Sequence, residues 1–173
     1  KRDPEAIQTL MEAIVGVGVC MSLVGNSRPA SGSEHHLSHF FEITGIVDGT
    51  DYLPHGIDVV FSTAITSRIR EKLVNAQWPD KQFRQSDEEY KSELGRTYKS
   101  VAQGCMDLQA KLGTYEQDRV SVYKAKEEEL KAILAEVPTG EEIEKILLGI
   151  GLDIKDFFKF YGDEKIRDAV RYA

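Results

Sequence analysis

HGIDVVFSTAITSRIREKLVN, residues 55–75, is the stretch on which the fold class turns. It is rich in β-branched residues, which are stiff and favour strands. Yet Ile57, Val60, Phe61, Ala64, Ile65, Ile69 and Leu73 keep an i, i+3, i+4 rhythm, the period of a helix face and not of a strand. The spacing predicts a helix, opened by a histidine at its N-terminus.

Working outward, the segments on either side also read as helices. Upstream, Asp3 is an N-cap, Pro4 takes the first helical position, and Ile7, Leu10, Met11, Ile14 and Val15 recur at helical spacing, so a helix is expected from Pro4 to Val24. A loop of small and turn-forming residues, Gly25 to Gly32, feeds a histidine-bearing helix from Ser33 to about Thr44, and Gly45 to Pro54 reads as a polar loop. Downstream, Trp78-Pro79-Asp80 breaks the chain. Ser86-Asp87-Glu88-Glu89 and Thr139-Gly140-Glu141-Glu142 are capping-box patterns that open helices, with Gly149 or Gly151 ending the second. Helices are expected over Val101 to Leu112 and Tyr115 to Glu136, and Asp153 and Asp163 are N-cap candidates for two short closing helices. With no strand, repeat or low-complexity tract, the reading is an all-α, irregular bundle of seven to nine helices in one domain, residues 1–173.

The composition narrows the function. A chain of 173 residues with 41% hydrophobic and 29% charged residues has the balance of one globular domain. Its net charge of −7 and pI near 5.2 argue against a nucleic-acid surface, which needs clustered Lys and Arg. Cys20 and Cys105 lack CxxC spacing and read as inert buried thiols in a reducing, cytoplasmic setting. The most apolar stretch, Ala13 to Val24, is shorter than the roughly twenty residues of a membrane span, so it reads as a buried helix whose Gly16 and Gly18 permit close packing. The chain opens at Lys1 without Met, directly before a helix start, which reads as a fragment or processed product.

All four histidines fall between positions 35 and 55. Imidazole is the commonest protein metal ligand and titrates near neutral pH, so their clustering suggests a site. On a helix His35 and His39 share a face, whereas His36 points about 100° away. His55 could join His35 if the two helices are neighbours joined by the 45–54 loop. HxxxH alone does not separate a metal pair from two hydrogen-bonded histidines on a helix.

The run SRPASGSEHHLSHFFE (27–42), followed by His55-Gly56, resembles the metal-site region of the NAD(P)-dependent sn-glycerol-1-phosphate dehydrogenases, including the AraM-like bacterial enzymes. These belong to the superfamily of iron-containing alcohol dehydrogenases and dehydroquinate synthases. The resemblance implies the C-terminal helical domain of that fold alone, its N-terminal Rossmann-like cofactor domain being a missing partner. It implies His35 and His55 as metal ligands and His39 as the catalytic, substrate-contacting residue. The metal would be divalent, Zn2+ first with Fe2+ or Ni2+ as alternatives. The family's third protein ligand is an upstream Asp, for which only Asp3, Glu5 and Glu12 stand in as acidic residues before Ser33. No glycine-rich phosphate loop occurs, so NAD(P) would be bound mainly by the other domain, and the chain alone would be inactive.

Single residues follow from this frame. Arg28 is a candidate for the phosphate of dihydroxyacetone phosphate or sn-glycerol 1-phosphate, against a loop-anchoring role. Glu34 could orient an imidazole or favour a helix N-terminus, and Asp58 reads as a helix-N-terminal carboxylate without a functional role. His36 is a bystander, and Glu127-Glu128-Glu129 is a solvated face. Phe157, Phe158, Phe160 and Tyr161 pack the closing helices or form a docking patch. The resemblance also leaves open a homo-oligomer. The competing readings are a non-catalytic helical binding or assembly module and a polyol dehydrogenase domain of the same superfamily.

Overall fold

The computed structural model describes residues 3–113 and 117–173. Among these residues the regular structure is all helical: α1 (Pro4–Val24), α2 (Ser33–Asp48), α3 (His55–Asn75), α4 (Asp87–Tyr98), α5 (Ala102–Leu112), α6 (Val120–Ala125), α7 (Glu127–Ala135), α8 (Gly140–Gly149) and α9 (Ile154–Tyr172). A single 3-10 turn, Lys99–Val101, joins α4 to α5.

The period of 55–75 does decide its state. α3 buries Phe61, Ala64 and Ile65 on one face, and α2, α7 and α8 pack around it. Local chemistry starts the helices where the sequence signals them. Asp3 accepts from the Glu5 N–H ahead of α1, and Asp153 accepts from the Lys155 N–H ahead of α9. Both capping boxes close: Ser86 and Glu89 exchange bonds at α4, and Thr139 and Glu142 do so at α8.

The core lies between α2, α3 and α9 and is built largely of aromatic rings. Phe41 stacks on Tyr161 with ring centres 4.2 Å apart and meets Phe157 edge-on at 5.4 Å. Phe61 lies 4.9 Å from Phe157, and Phe40 meets Tyr98 edge-on at 5.7 Å. Of the four aromatics in the 157–161 run, Phe157 and Tyr161 are buried in this cluster, whereas Phe158 and Phe160 are exposed.

Several elements depart from the sequence reading. α2 continues four residues past Thr44, to Asp48, and ends on Gly49 in the left-handed conformation (φ 65°). Gly45 thus belongs to the helix, and its missing side chain makes room for Tyr52, whose ring would lie 2.7 Å from a Cβ there. The single helix expected over Tyr115 to Glu136 is two, α6 and α7, broken at Lys126; its first two residues lie outside the described ones. The break accompanies a tertiary latch, in which Glu127 accepts the Trp78 N–H and pairs with Lys124 and Lys131. The closing residues, by contrast, do form two helical stretches as expected, both carried in α9 and separated by a kink at Gly162 (φ 77°) directly before Asp163.

The largest departure is α1, expected to be buried. None of its residues is buried, so Ile7, Leu10, Met11, Ile14, Val15 and Val19 are exposed, and Cys20 is exposed rather than a buried thiol. Cys105 is half-buried in contact with the core, and burial pushes its thiol up. The reason is that an apolar face reports a wish for burial, not a partner, and no described helix covers this one. Read as a whole, the 21-residue helix is also long and apolar enough to cross a membrane by length and composition, a test that core helices pass too.

Candidate metal and substrate site

Two elements build the site. On α2, His35, His39 and Glu42 follow one another at i, i+4 and i+7, which places them on one face. Glu34 accepts the Gly32 N–H at 2.8 Å and so closes the helix start beside them. The opposite face carries Phe40, Phe41 and Leu37 into the core, which fixes the direction of the histidine face.

The second element is the start of α3, delivered by the 49–54 loop. The loop runs back along α2: Tyr52 lies over Gly45, and His55 lies beside Ser38, seven residues earlier on α2. The Leu53 N–H donates to the Tyr161 hydroxyl at 2.9 Å, pinning the loop two residues before His55.

The three imidazoles consequently converge. Ring centres are 5.2 Å apart for His35 and His55, 5.1 Å for His39 and His55, and 6.2 Å for His35 and His39. Glu42 lies between two of them, with Oε1 2.8 Å from His55 Nδ1 and Oε2 3.0 Å from His39 Nδ1. The hydrogen-bonding atoms of His39, Glu42 and His55 all lie within 4.8 Å of one another. Burial alone would raise the Glu42 carboxyl, but the bonds from His39 and His55 outweigh it and hold the group below its ordinary value. At Glu34 burial is likewise outweighed, by backbone N–H groups and His35.

The donor chemistry fits a divalent metal. Two imidazoles on one ion, with metal–nitrogen distances of about 2.0–2.1 Å in a tetrahedral arrangement, set their ring centres about 5 Å apart. The ring centres of His35–His55 and His39–His55 have this spacing, and the group whose ligand atoms lie within 4.8 Å of one another is His39, Glu42 and His55, without His35.

One turn into α3, Asp58 departs from its expected role. It is fully buried, and the Tyr161 hydroxyl lies 2.9 and 3.0 Å from its two oxygens. Burial pushes its carboxyl up to about 7, partly offset by Tyr161, and the negative charge of Glu42 pushes the same way as burial. Because the folded value exceeds the unfolded one, the folded chain binds this proton more tightly. The stability this contributes is complete below the unfolded value near 4 and is lost as pH rises through about 7. Asp58→Asn removes the titration. Urea unfolding between pH 4 and 8 should show the wild type losing roughly 2–4 kcal/mol relative to Asp58→Asn across that window. Parallel curves would exclude an elevated Asp58.

The other residues singled out in the sequence fall as follows. His36 is exposed, and the ring contacts that form the imidazole cluster join His35, His39 and His55. Arg28 sits in an exposed turn, its N–H held by the Asn26 side chain at 3.0 Å. Asp3 is occupied as the N-cap of α1. Glu127 is not a freely solvated carboxylate: hydrogen bonds from Lys124 and Lys131 hold it down at about 2. Glu42 was missed, although its i+3 spacing from His39 and i+7 spacing from His35 were legible signals.

Comparison with known proteins now bears on this arrangement. The chain is 41% identical over 83 residues to a glycerol-1-phosphate dehydrogenase [NAD(P)+] of Korarchaeum cryptofilum, covering 43% of this chain and 26% of the relative. The namesake of Bacillus licheniformis is 34% identical over 82 residues, 47% of this chain and 20% of the relative. That of Pyrobaculum islandicum is 43% identical over 61 residues, 35% of this chain and 18% of the relative. This chain shares a segment with the glycerol-1-phosphate dehydrogenase family. It spans about a quarter or less of the length of these dehydrogenases. The all-α architecture accords with the helical domain that the resemblance to them implies. No family model matches the chain, and no solved structure does.

Proposed function

We propose that this chain is the helical, metal- and substrate-binding part of an oxidoreductase of the glycerol-1-phosphate dehydrogenase kind, which reduces dihydroxyacetone phosphate to sn-glycerol 1-phosphate with NAD(P)H. The observation that carries the reading is the convergence of His35, His39 and His55 at one end of the α2–α3 pair, in a chain similar to these dehydrogenases. His35 and His55 hold the metal. When bound, a divalent metal supplies Lewis-acid polarisation of a carbonyl oxygen and stabilises negative charge developing there.

The remaining roles belong to the chain's own side chains. His39, the most exposed of the three imidazoles, faces the substrate and hydrogen-bonds its hydroxyl or carries its proton. Arg28 reaches the phosphate from the loop before α2, which supplies local positive charge to an acidic chain. Residues outside these 173 supply the nicotinamide site and the third protein ligand of the metal, so the 173-residue chain alone has no dehydrogenase activity.

The deciding experiment assays the complete gene product with dihydroxyacetone phosphate and NADH or NADPH, alongside dihydroxyacetone and glycerol. Turnover of the phosphorylated substrate is expected. Activity confined to the unphosphorylated pair would replace this reading with a polyol dehydrogenase, and no activity on either would favour a binding module.

A further inference from the structure

We infer that Glu42 is a positioning residue that holds both His39 and His55 in the tautomer with hydrogen on Nδ1, so that each presents a bare Nε2 to the site. The inference rests on the metal-site reading only for its consequence at His55. The tautomers themselves follow from the hydrogen bonds of Glu42.

An ionised carboxylate can only accept hydrogen bonds. Glu42 Oε1 lies 2.8 Å from His55 Nδ1 and Oε2 lies 3.0 Å from His39 Nδ1, so both nitrogens must be the donors. A second acceptor agrees at His55. The fully buried Ser38 hydroxyl donates to the His55 carbonyl oxygen at 3.3 Å, which leaves its lone pair facing His55 Nδ1 at 3.0 Å. A neutral imidazole carries one N–H, and placing it on Nδ1 leaves Nε2 as an acceptor or ligand. His35 is not part of the bridge, since its nearest carboxylate oxygen, on Glu34, is 3.4 Å away.

One carboxylate thereby sets two functions. At His55, the bare Nε2 is the metal-binding atom, oriented from behind as ligating imidazoles commonly are. At His39, the bare Nε2 can only accept, so the group it recognises is a donor. A neutral His39 therefore selects a substrate hydroxyl, and neither a carbonyl oxygen nor a phosphate oxygen.

The test is two-bond 15N–1H correlation on the 15N-histidine-labelled full chain at about pH 8.5, above the ordinary imidazole value. His39 and His55 are both expected to show protonated Nδ1 and bare Nε2. The isosteric Glu42→Gln offers one acceptor oxygen in place of two, so at least one of the two rings should change tautomer. Glu42→Ala should release His39, while His55 keeps its tautomer through Ser38. Wild-type spectra with hydrogen on Nε2 of either ring, or unchanged spectra in Glu42→Gln, would overturn the inference. A parallel Zn2+ titration of the complete gene product should show 10- to 100-fold weaker binding in Glu42→Ala. Equal affinity in that variant would overturn the orienting role at His55. If the wild type itself binds no Zn2+, the metal reading fails, and the spectra still decide the tautomers.

Discussion

Phe41→Ala is expected to destabilise the chain by about 3–5 kcal/mol, the usual cost of emptying a ring-sized space in a packed core. Phe41 is 0% exposed, stacks on Tyr161 and meets Phe157 edge-on. The cavity would open behind Tyr161, the residue that holds both buried Asp58 and the Leu53 N–H. Loss of stability should therefore be accompanied by loosening of the loop that delivers His55. Urea unfolding measures the first, and hydrogen exchange at Leu53 measures the second. Ile46→Ala, on the exposed side of the same helix, is the control and should cost less than about 1 kcal/mol. Comparable losses for the two variants would contradict the position of the core.

If the proposed metal site is right, His55→Ala should weaken Zn2+ binding by the complete gene product at least about 100-fold, because it would remove one of the few protein ligands such a site has. The ring is central to the cluster, 5.2 Å from His35 and 5.1 Å from His39. His36→Ala removes an exposed imidazole one position from His35 and should leave the affinity within a factor of about two. Competition with a chromogenic chelator reads both. Retained affinity in His55→Ala would rule out the α2–α3 cluster as the metal site, and loss in His36→Ala would mean the wrong face of α2 had been assigned.

The legible part of the fold lies where local chemistry acts. Caps at Asp3, Ser86, Thr139 and Asp153 formed as their sequence patterns suggest, because a capping bond spans two or three residues and needs no tertiary partner. The 3.6-residue period of 55–75 outweighed its β-branched content because its central apolar positions, Phe61, Ala64 and Ile65, meet the core together, although Leu73 in the last turn is exposed. Boundaries differed where contacts beyond one turn come in. Tyr52 packs over Gly45 inside the extended α2, and the latch of Trp78 onto Glu127 accompanies the break between α6 and α7.

The site divides in the same way. From the sequence alone come the all-α class, the shared face of His35 and His39, and the place of His55 at a helix start, since each depends on spacing within one element. Only the tertiary structure shows Glu42 bridging two imidazoles, Asp58 buried against a tyrosine 103 positions away, and an apolar first helix without a buried residue. Periodicity says which face of a helix is apolar or ligand-bearing. What that face meets depends on how the helices pack, and residues far apart in the chain settle that together.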